Sequence, residues 1–280
     1  MRRCPLCNSD TDVGRLWGTD VLRCCGCRLG YVDQPPSTGA QKEAYSAEYF
    51  VGSRGYADYQ AEKAALQRNF ARRIRDLRQY SSGGDLFEIG CAYGFFLELA
   101  SRHWSASGID VSAAAASFAR ERLNLNVSQA GVEDHPMAPQ SYDVIVMWDA
   151  IEHLRDPFVA VEKIAAALRP GGILALTTGD LDAVLPRIRR TRWRLFHPLH
   201  LYYFSLSSMT QLLNKHGLQV VHSSHEGNDR SVRQMAQGFG NWVAQKVERL
   251  PFANLCVRIN LFDIMFVIAR KPQHETWRAT

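Results

Sequence analysis

Seven short apolar runs, most of them separated by stretches of helical spacing, occupy the chain from Gly83 onward: DLFEIG, ASGIDV, LNVSQ, YDVIVMW, GGILALTT, GLQVVHSS and DIMFVIARK. Strands separated by helices are not joined by tight hairpins; a parallel neighbour needs a crossover that carries the chain back to the same end of the sheet. The pattern therefore predicts an α/β fold, a doubly wound and mainly parallel seven-stranded sheet with helices on both faces. Ahead of it, Leu66, Phe70, Ile74 and Leu77 recur at helical spacing among many arginines. That spacing predicts an amphipathic helix within 61–80, packed on the sheet edge or covering a ligand. At 280 residues the chain has room for this core and one small module.

The small module is expected in residues 1–32. Cys4-Pro-Leu-Cys7 and Cys24-Cys25-Gly26-Cys27 form two CxxC pairs separated by sixteen residues. A two-residue spacer lets both thiolates of a pair face one ion from a tight turn, and the interval between pairs matches tetrahedral structural zinc. Only Cys24, not Cys25, keeps the spacer to Cys27, so Cys4, Cys7, Cys24 and Cys27 are the expected ligands of a zinc ribbon. Four thiolates close the coordination shell, which makes the metal structural. Cys91 and Cys256 are expected to be packing residues. The stretch DQPPSTGAQ suits neither helix nor central strand and reads as a connector. Residues 33–60 are thus expected to be a linker, with 61–280 as the large domain.

The first run of that domain ends in Phe87-Glu88-Ile89-Gly90-Cys91-Ala92-Tyr93-Gly94-Phe95-Phe96. Gly90 and Gly94 remove side chains where the chain turns from strand to helix, so backbone N–H groups and a helix N-terminus can approach a ligand closely. Asp110 closes the second strand 20 residues after Gly90. A carboxylate there can accept both hydroxyl hydrogens of a ribose.

The glycine spacing is ExGxxxG, not the GxGxxG of dinucleotide sites. Together with Asp110, Gly131-Val132-Glu133-Asp134-His135-Pro136, the run from Tyr142 to Leu154 and Leu168-Arg169-Pro170-Gly171-Gly172, it resembles the class I S-adenosylmethionine-dependent methyltransferases. The resemblance covers about 83–225, and Ala92 stands where the family's middle glycine falls. It implies a Rossmann-like fold and S-adenosylmethionine as cofactor. It assigns Glu88, Gly90 and Gly94 to the methionine end, Asp110 to the ribose, Val132 and Glu133 to the adenine neighbourhood, and Trp148 and Asp149 to the methyl-transfer end. Core packing is the alternative for Trp148, and a surface carboxylate for Asp110. The Leu-Arg-Pro-Gly-Gly turn needs no catalytic reading, because proline and glycine end a helix.

Methyl transfer needs a general base only where the acceptor is protonated at neutral pH, and imidazole has the suitable pKa. Candidates are His153, His197 and His200. The segment from Phe196 to Ser205 resembles the HxxHxxxFS-type segment of zinc-ribbon methyltransferases that act on deoxysugars and related small molecules, which implies His200 as base or acceptor-binding residue. His153 either takes part directly or holds its loop. Arg187, Arg189, Arg190, Arg192 and Arg194, interleaved with Trp193, either grip phosphates or form a solvated helix end. Relatives that methylate sugar carbons carry a further C-terminal domain, and the chain ends before one. The expectation is therefore O-methylation of a small-molecule acceptor: a saccharide, a nucleotide-linked or phosphorylated sugar, or a secondary metabolite. A short helical insertion, about 228–260 with Phe239, Trp242, Val243 and Leu250, either covers the acceptor or mediates self-association as a homodimer.

Two other functions stay open. An RNA base methyltransferase would use the ribbon on structured RNA, although Trp148-Asp149-Ala150-Ile151 is not the Asp/Asn-Pro-Pro-Tyr type used on exocyclic amines. A non-catalytic module would keep the cofactor fold for binding alone, against the intact Glu88, Gly90, Gly94 and Asp110 set. The net charge of +5 is too mild to point to nucleic acid by itself. No run of about 18 uncharged apolar residues occurs, and MRRCPLC has no apolar stretch after its charges, so a cytoplasmic location without a membrane span is expected.

Overall fold

The seven apolar runs become β4 (Asp85–Ile89), β5 (Ser105–Asp110), β6 (Asn126–Gln129), β7 (Tyr142–Trp148), β8 (Leu168–Gly179), β10 (Gln219–His225) and β13 (Ile264–Arg270) of one sheet. The computed structural model describes residues 3–9, 13–37, 39, 59–237, 242, 246, 247, 250, 253 and 255–273. Strand order is β10-β13-β8-β7-β4-β5-β6. The pairs β4–β5, β4–β7, β5–β6 and β7–β8 are parallel, and β13 runs antiparallel to both β8 and β10. The order reverses between β4 and β7, which opens a crevice at their C-terminal ends, the usual ligand position in such sheets.

Side-chain alternation along the strands divides the core in two. Val144, Val146 and Trp148 face a cluster with α1 (Lys63–Leu77), α2 (Phe95–Ala100) and α3 (Ala113–Leu123), where Phe70 meets Phe96 edge-on at 5.6 Å. Ile145 and Met147 face a second cluster with α4 (Pro157–Ala167) and α5 (Leu206–Lys215). The helix starts follow capping chemistry. Asp156 accepts from the N–H groups of Phe158 and Val159, and Ser205 forms a capping box with Ser208. The fully buried Ile164 and Leu213 each contribute roughly 1.5–3 kcal/mol by burial.

The N-terminal strands β1 (Val13–Arg15), β2 (Val21–Cys24) and β3 (Gly30–Val32) form an antiparallel ribbon, and β9 (Tyr202–Tyr203) of the large domain adds to its edge. The Val32 N–H donates to the Leu201 carbonyl at 2.9 Å. Gly30 permits this approach, since a Cβ there would lie 3.0 Å from that of Tyr203. Asp182, after β8, accepts from both Arg23 and Arg28, the latter with a 2.8 Å bond from Nη2. Cys4, Leu22 and Leu29 share one buried cluster with Phe204, Met209 and Leu212. The ribbon is thus built onto the large domain by strand addition. Most of the expected linker, 40–58, lies outside the described residues; Tyr59 at its end is buried and stacks on Phe95 at 5.4 Å.

The stretch 228–260, expected to be a short helical insertion, also holds two strands. Asn228–Ser231 (β11) pairs antiparallel with Cys256–Ile259 (β12), and among the described residues between them Val232–Gln237 (α6), Trp242, Lys246 and Val247 are helical. The reason is a polar alternation. Asp229 and Ser231, two residues apart, both turn toward the α1 side, where Asn69 exchanges hydrogen bonds with the Asp229 backbone and Glu62 accepts from the Ser231 hydroxyl. Phe239 and Val243 lie outside the described residues, while Trp242 and Leu250 are exposed.

Candidate active site

β4 delivers the chain into a turn that only certain residues tolerate. Gly90 and Gly94 have φ of +75° and +78°, and Ala92 between them has +47°. Glycine adopts this region without cost, whereas a side chain is strained there. Gly94 caps α2, so the turn ends at a helix N-terminus. Asp110, at the end of β5, accepts at 2.8 Å from the Ala92 N–H with one oxygen and at 2.8 Å from the Ser112 N–H with the other. Burial raises its pKa, and these two bonds oppose the rise. Glu88 is 2% exposed, and its Oε2 has no hydrogen-bond partner. Burial first, then the Asp110 charge, pushes its carboxyl well above the usual range, against the pull of Arg73.

A cavity of about 450 Å³ opens beside this turn, lined among others by Glu88, Gly90, Cys91, Trp148, Asp149, Glu152, His153, His197 and His200. Trp148 does both things weighed for it. It packs against Phe96 and Phe266 and also walls the cavity, with its Nε1 buried and unpartnered. Asp149 sits at φ +50°, its N–H donating to Thr177 Oγ1 and the Thr177 carbonyl. Asp110, Val132, Glu133 and Gly94 are not brought to the cavity lining. Val132 is buried in the core and Glu133 is exposed, while Lys163 Nζ donates to the carbonyls of both.

Three histidines meet in the lining of the same cavity. His153 and His200 rings lie 4.6 Å apart edge to face, with His197 5.7 Å from His200. His153 Nδ1 is 3.0 Å from the Leu199 carbonyl. A carbonyl only accepts, so Nδ1 carries the hydrogen and Nε2 the lone pair. Burial lowers the His153 pKa to about 4 and, with the neighbouring imidazoles, that of His200 to about 2. Glu152, also buried, is pushed up to about 8 by burial and then by the Asp149 charge, and its Oε2 has no partner. Donor atoms of Glu152, His153 and His200 all lie within 4.8 Å of one another.

α1 and the residues just before it, expected to pack on the sheet edge or cover a ligand, supply side chains that the sequence did not mark one by one. Tyr59, Glu62, Asn69, Phe70 and Arg73 line the same cavity. Arg73 is 3% exposed, pairs with Glu226 at 2.9 Å and lies 4.7 Å over the Trp148 ring. Its partner is 153 residues away in sequence, so helical spacing alone marked it only as one arginine among many. The 187–194 cluster separates. Arg194 pairs with Asp263 at 2.7 Å and reaches the cavity, Trp193 is buried with Nε1 on Asp263, and Arg187, Arg189, Arg190 and Arg192 are exposed.

At the ribbon, the Sγ atoms of Cys4, Cys7, Cys24 and Cys27 converge within 4.8 Å, with Cys4–Cys27 at 3.4 Å and Cys7–Cys24 at 3.5 Å. A tetrahedron with metal–thiolate bonds of about 2.3 Å has edges of roughly 3.8 Å, near the separations of these two pairs. The hydrogen bond from Cys27 lowers the Cys4 thiol to about 5. Cys25, left out by the spacing, is exposed, and Cys91 is buried.

A doubly wound sheet with a glycine turn, a buried carboxylate closing on that turn and a cavity at the switch point has the Rossmann-like architecture. Residues 60–223 match the family model described as a methyltransferase domain, and the chain belongs to that family. It is 28% identical over 141 residues to a probable S-adenosylmethionine-dependent methyltransferase of Mycolicibacterium smegmatis, covering 50% of this chain and 53% of that protein. It is also 28% identical over 102 residues to a ubiquinone biosynthesis O-methyltransferase of Coxiella burnetii, covering 34% and 44% respectively. The chain spans about half the length of these curated relatives. The YcgJ protein of Bacillus subtilis superposes with a TM-score of 0.55 at 16% identity, over 74% of this chain and 100% of that one, which shows the fold alone.

Proposed function

We propose that the protein is an S-adenosylmethionine-dependent methyltransferase acting on an oxygen of a small-molecule acceptor, with a structural zinc in its four-thiol ribbon. The observation that supports it most is one cavity holding both ends of the chemistry. Glu88, with its Oε2 buried and unpartnered, and Gly90 of the turn line it together with Glu152 and three histidines. Glu88 would hold the ammonium of the methionine part, the turn from Gly90 to Gly94 would pass along it, and Asp110 would take the ribose hydroxyls with its remaining lone pairs. When bound, S-adenosylmethionine supplies a methyl group already activated by its sulfonium. The protein's task is then alignment and exclusion of water, for which Trp148, Phe70 and Tyr59 form apolar walls.

His153 and His200 are neutral at pH 7, so each offers a lone pair to an acceptor hydroxyl. Their low pKa makes them hydrogen-bond holders of that hydroxyl rather than strong proton acceptors. The acceptor class carried forward is a saccharide, a nucleotide-linked or phosphorylated sugar, or a secondary metabolite. Exposed Arg187, Arg189, Arg190 and Arg192 near the histidine segment suit its phosphate groups. Isotope-labelled methyl donor, incubated with the zinc-replete protein and a panel of such acceptors, tests this. Label should appear on an acceptor oxygen, with kcat/KM falling about tenfold or more in His200→Ala. Labelling of RNA with no small molecule modified would contradict it.

A further inference from the structure

We propose that the outer face of α1 carries an anion site, separate from the catalytic cavity, for a small ligand bearing two or more phosphate groups, such as a nucleoside diphosphate. This site does not rest on the methyltransferase reading. A hollow of about 550 Å³ lies there, lined by Arg68, Arg72 and Arg75 of α1, Arg78 at its C-terminal end, and Arg102 and His103 just after α2. That volume is typical of a small-molecule site. Helical geometry puts it on the far side of α1 from the catalytic cavity. At about 100° per residue, Leu66, Asn69, Phe70 and Arg73, which line that cavity, point one way, and Arg68, Ala71, Arg75 and Arg78 point the opposite way.

Positive charge is what this hollow holds in excess. Arg68, Arg75, Arg78 and Arg102 are exposed, and none of them pairs with a carboxylate among the described residues. Asp229, the one acid in the lining among those residues, is already held by Arg72. Arginines three and four positions apart on a helix, as at 68, 72, 75 and 78, stand side by side and repel one another. An anion relieves that repulsion, and guanidinium groups bind phosphate through paired, charge-assisted hydrogen bonds. From Arg68 to Arg78 the stripe runs about 15 Å along the helix, more than a single phosphate engages. Ala71, Ile74 and Leu99 complete the lining with apolar surface, which suits the organic part of a phosphorylated molecule. A long nucleic acid strand would need such charges along a track beyond the hollow, and the net charge of the chain is only +5.

Calorimetric titration of the full chain with inorganic pyrophosphate and with uridine diphosphate, at low salt and without magnesium, tests the site. One ligand per chain is expected, bound more tightly than inorganic phosphate and more weakly as salt is added. Arg75→Gln combined with Arg78→Gln changes only exposed side chains, so the fold should persist while affinity for both ligands falls about tenfold or more. The affinity of the same variant for S-adenosylhomocysteine should equal that of the wild type, because the two hollows lie on opposite faces of α1. No binding of either ligand to the wild type, or equal binding in the double variant, would overturn the proposal. A single-stranded RNA oligonucleotide that binds more tightly than uridine diphosphate, and loses its affinity in the double variant, would overturn it in favour of a nucleic-acid surface.

Discussion

Gly94 shows how far a single residue in the turn is constrained. Its φ is +78°, and an added Cβ would lie 2.5 Å from Leu125 Cδ1 and 3.2 Å from Ala119 Cβ. Gly94→Ala is expected to destabilise the protein by about 1–3 kcal/mol, measured by the urea midpoint; an unchanged midpoint would contradict the geometry. Glu88 is the opposite case, a residue kept at a cost. Removing its charge in Glu88→Gln should leave the thermal midpoint unchanged or raised while weakening S-adenosylhomocysteine binding about tenfold or more, and retained affinity would refute its role. The turn at Gly90 and Gly94 was legible because a strand-to-helix turn writes its backbone needs into neighbouring positions. Arg73 and Glu62 were not, since nothing local shows that Glu226 and Ser231 will come to bury them. Trp148 carries a packing role and a wall role at once, which sequence could only pose as alternatives.

Among the elements, the two-residue strand β9 links the most. It pairs with β3 of the ribbon and follows His200 and Leu201, and the Leu201 N–H holds the Glu152 carbonyl. Loss of the proposed zinc in Cys27→Ser should therefore raise hydrogen exchange at the Val32 and Leu201 amides while β4 and β7 stay protected; equal protection in both proteins would show that the ribbon does not hold this loop. Asp182 fastens the same joint. Burial would raise its carboxyl, but the hydrogen bonds and charges of Arg28 and Arg23 win and hold it below the ordinary value. A pKa depressed on folding stabilises above the unfolded value and is lost as pH falls through the folded one. The stability difference between wild type and Asp182→Asn should thus be full at neutral pH and shrink below about pH 4, with a constant difference as the contrary result. The seven apolar runs announced the main sheet clearly, but a strand as short as Tyr202–Tyr203 has no period to read. β11 and β12 escaped for a related reason, because the alternation in β11 is of polar side chains aimed at Asn69 and Glu62.

At the scale of the molecule, ribbon and sheet share one buried cluster, from Leu22 and Leu29 through Phe204 to Leu212. Scanning calorimetry should show a single transition that shifts to lower temperature when zinc is withdrawn, whereas a separate early transition of the ribbon would contradict the shared core. Two modules were legible from two sequence signatures; their fusion was not, since it rests on contacts between residues about 170 positions apart. No helix among the described residues is long and apolar enough to cross a membrane. The central claim concerns the glycine turn after β4, on which the Asp110 carboxylate closes. Calorimetric titration of the zinc-replete protein with S-adenosylhomocysteine, repeated on Asp110→Asn and Asp110→Ala, tests it most directly. The expected result is one site with a Kd on the order of micromolar, weakened stepwise in the two variants while their thermal unfolding stays cooperative. Absence of binding to the folded wild type would contradict the account.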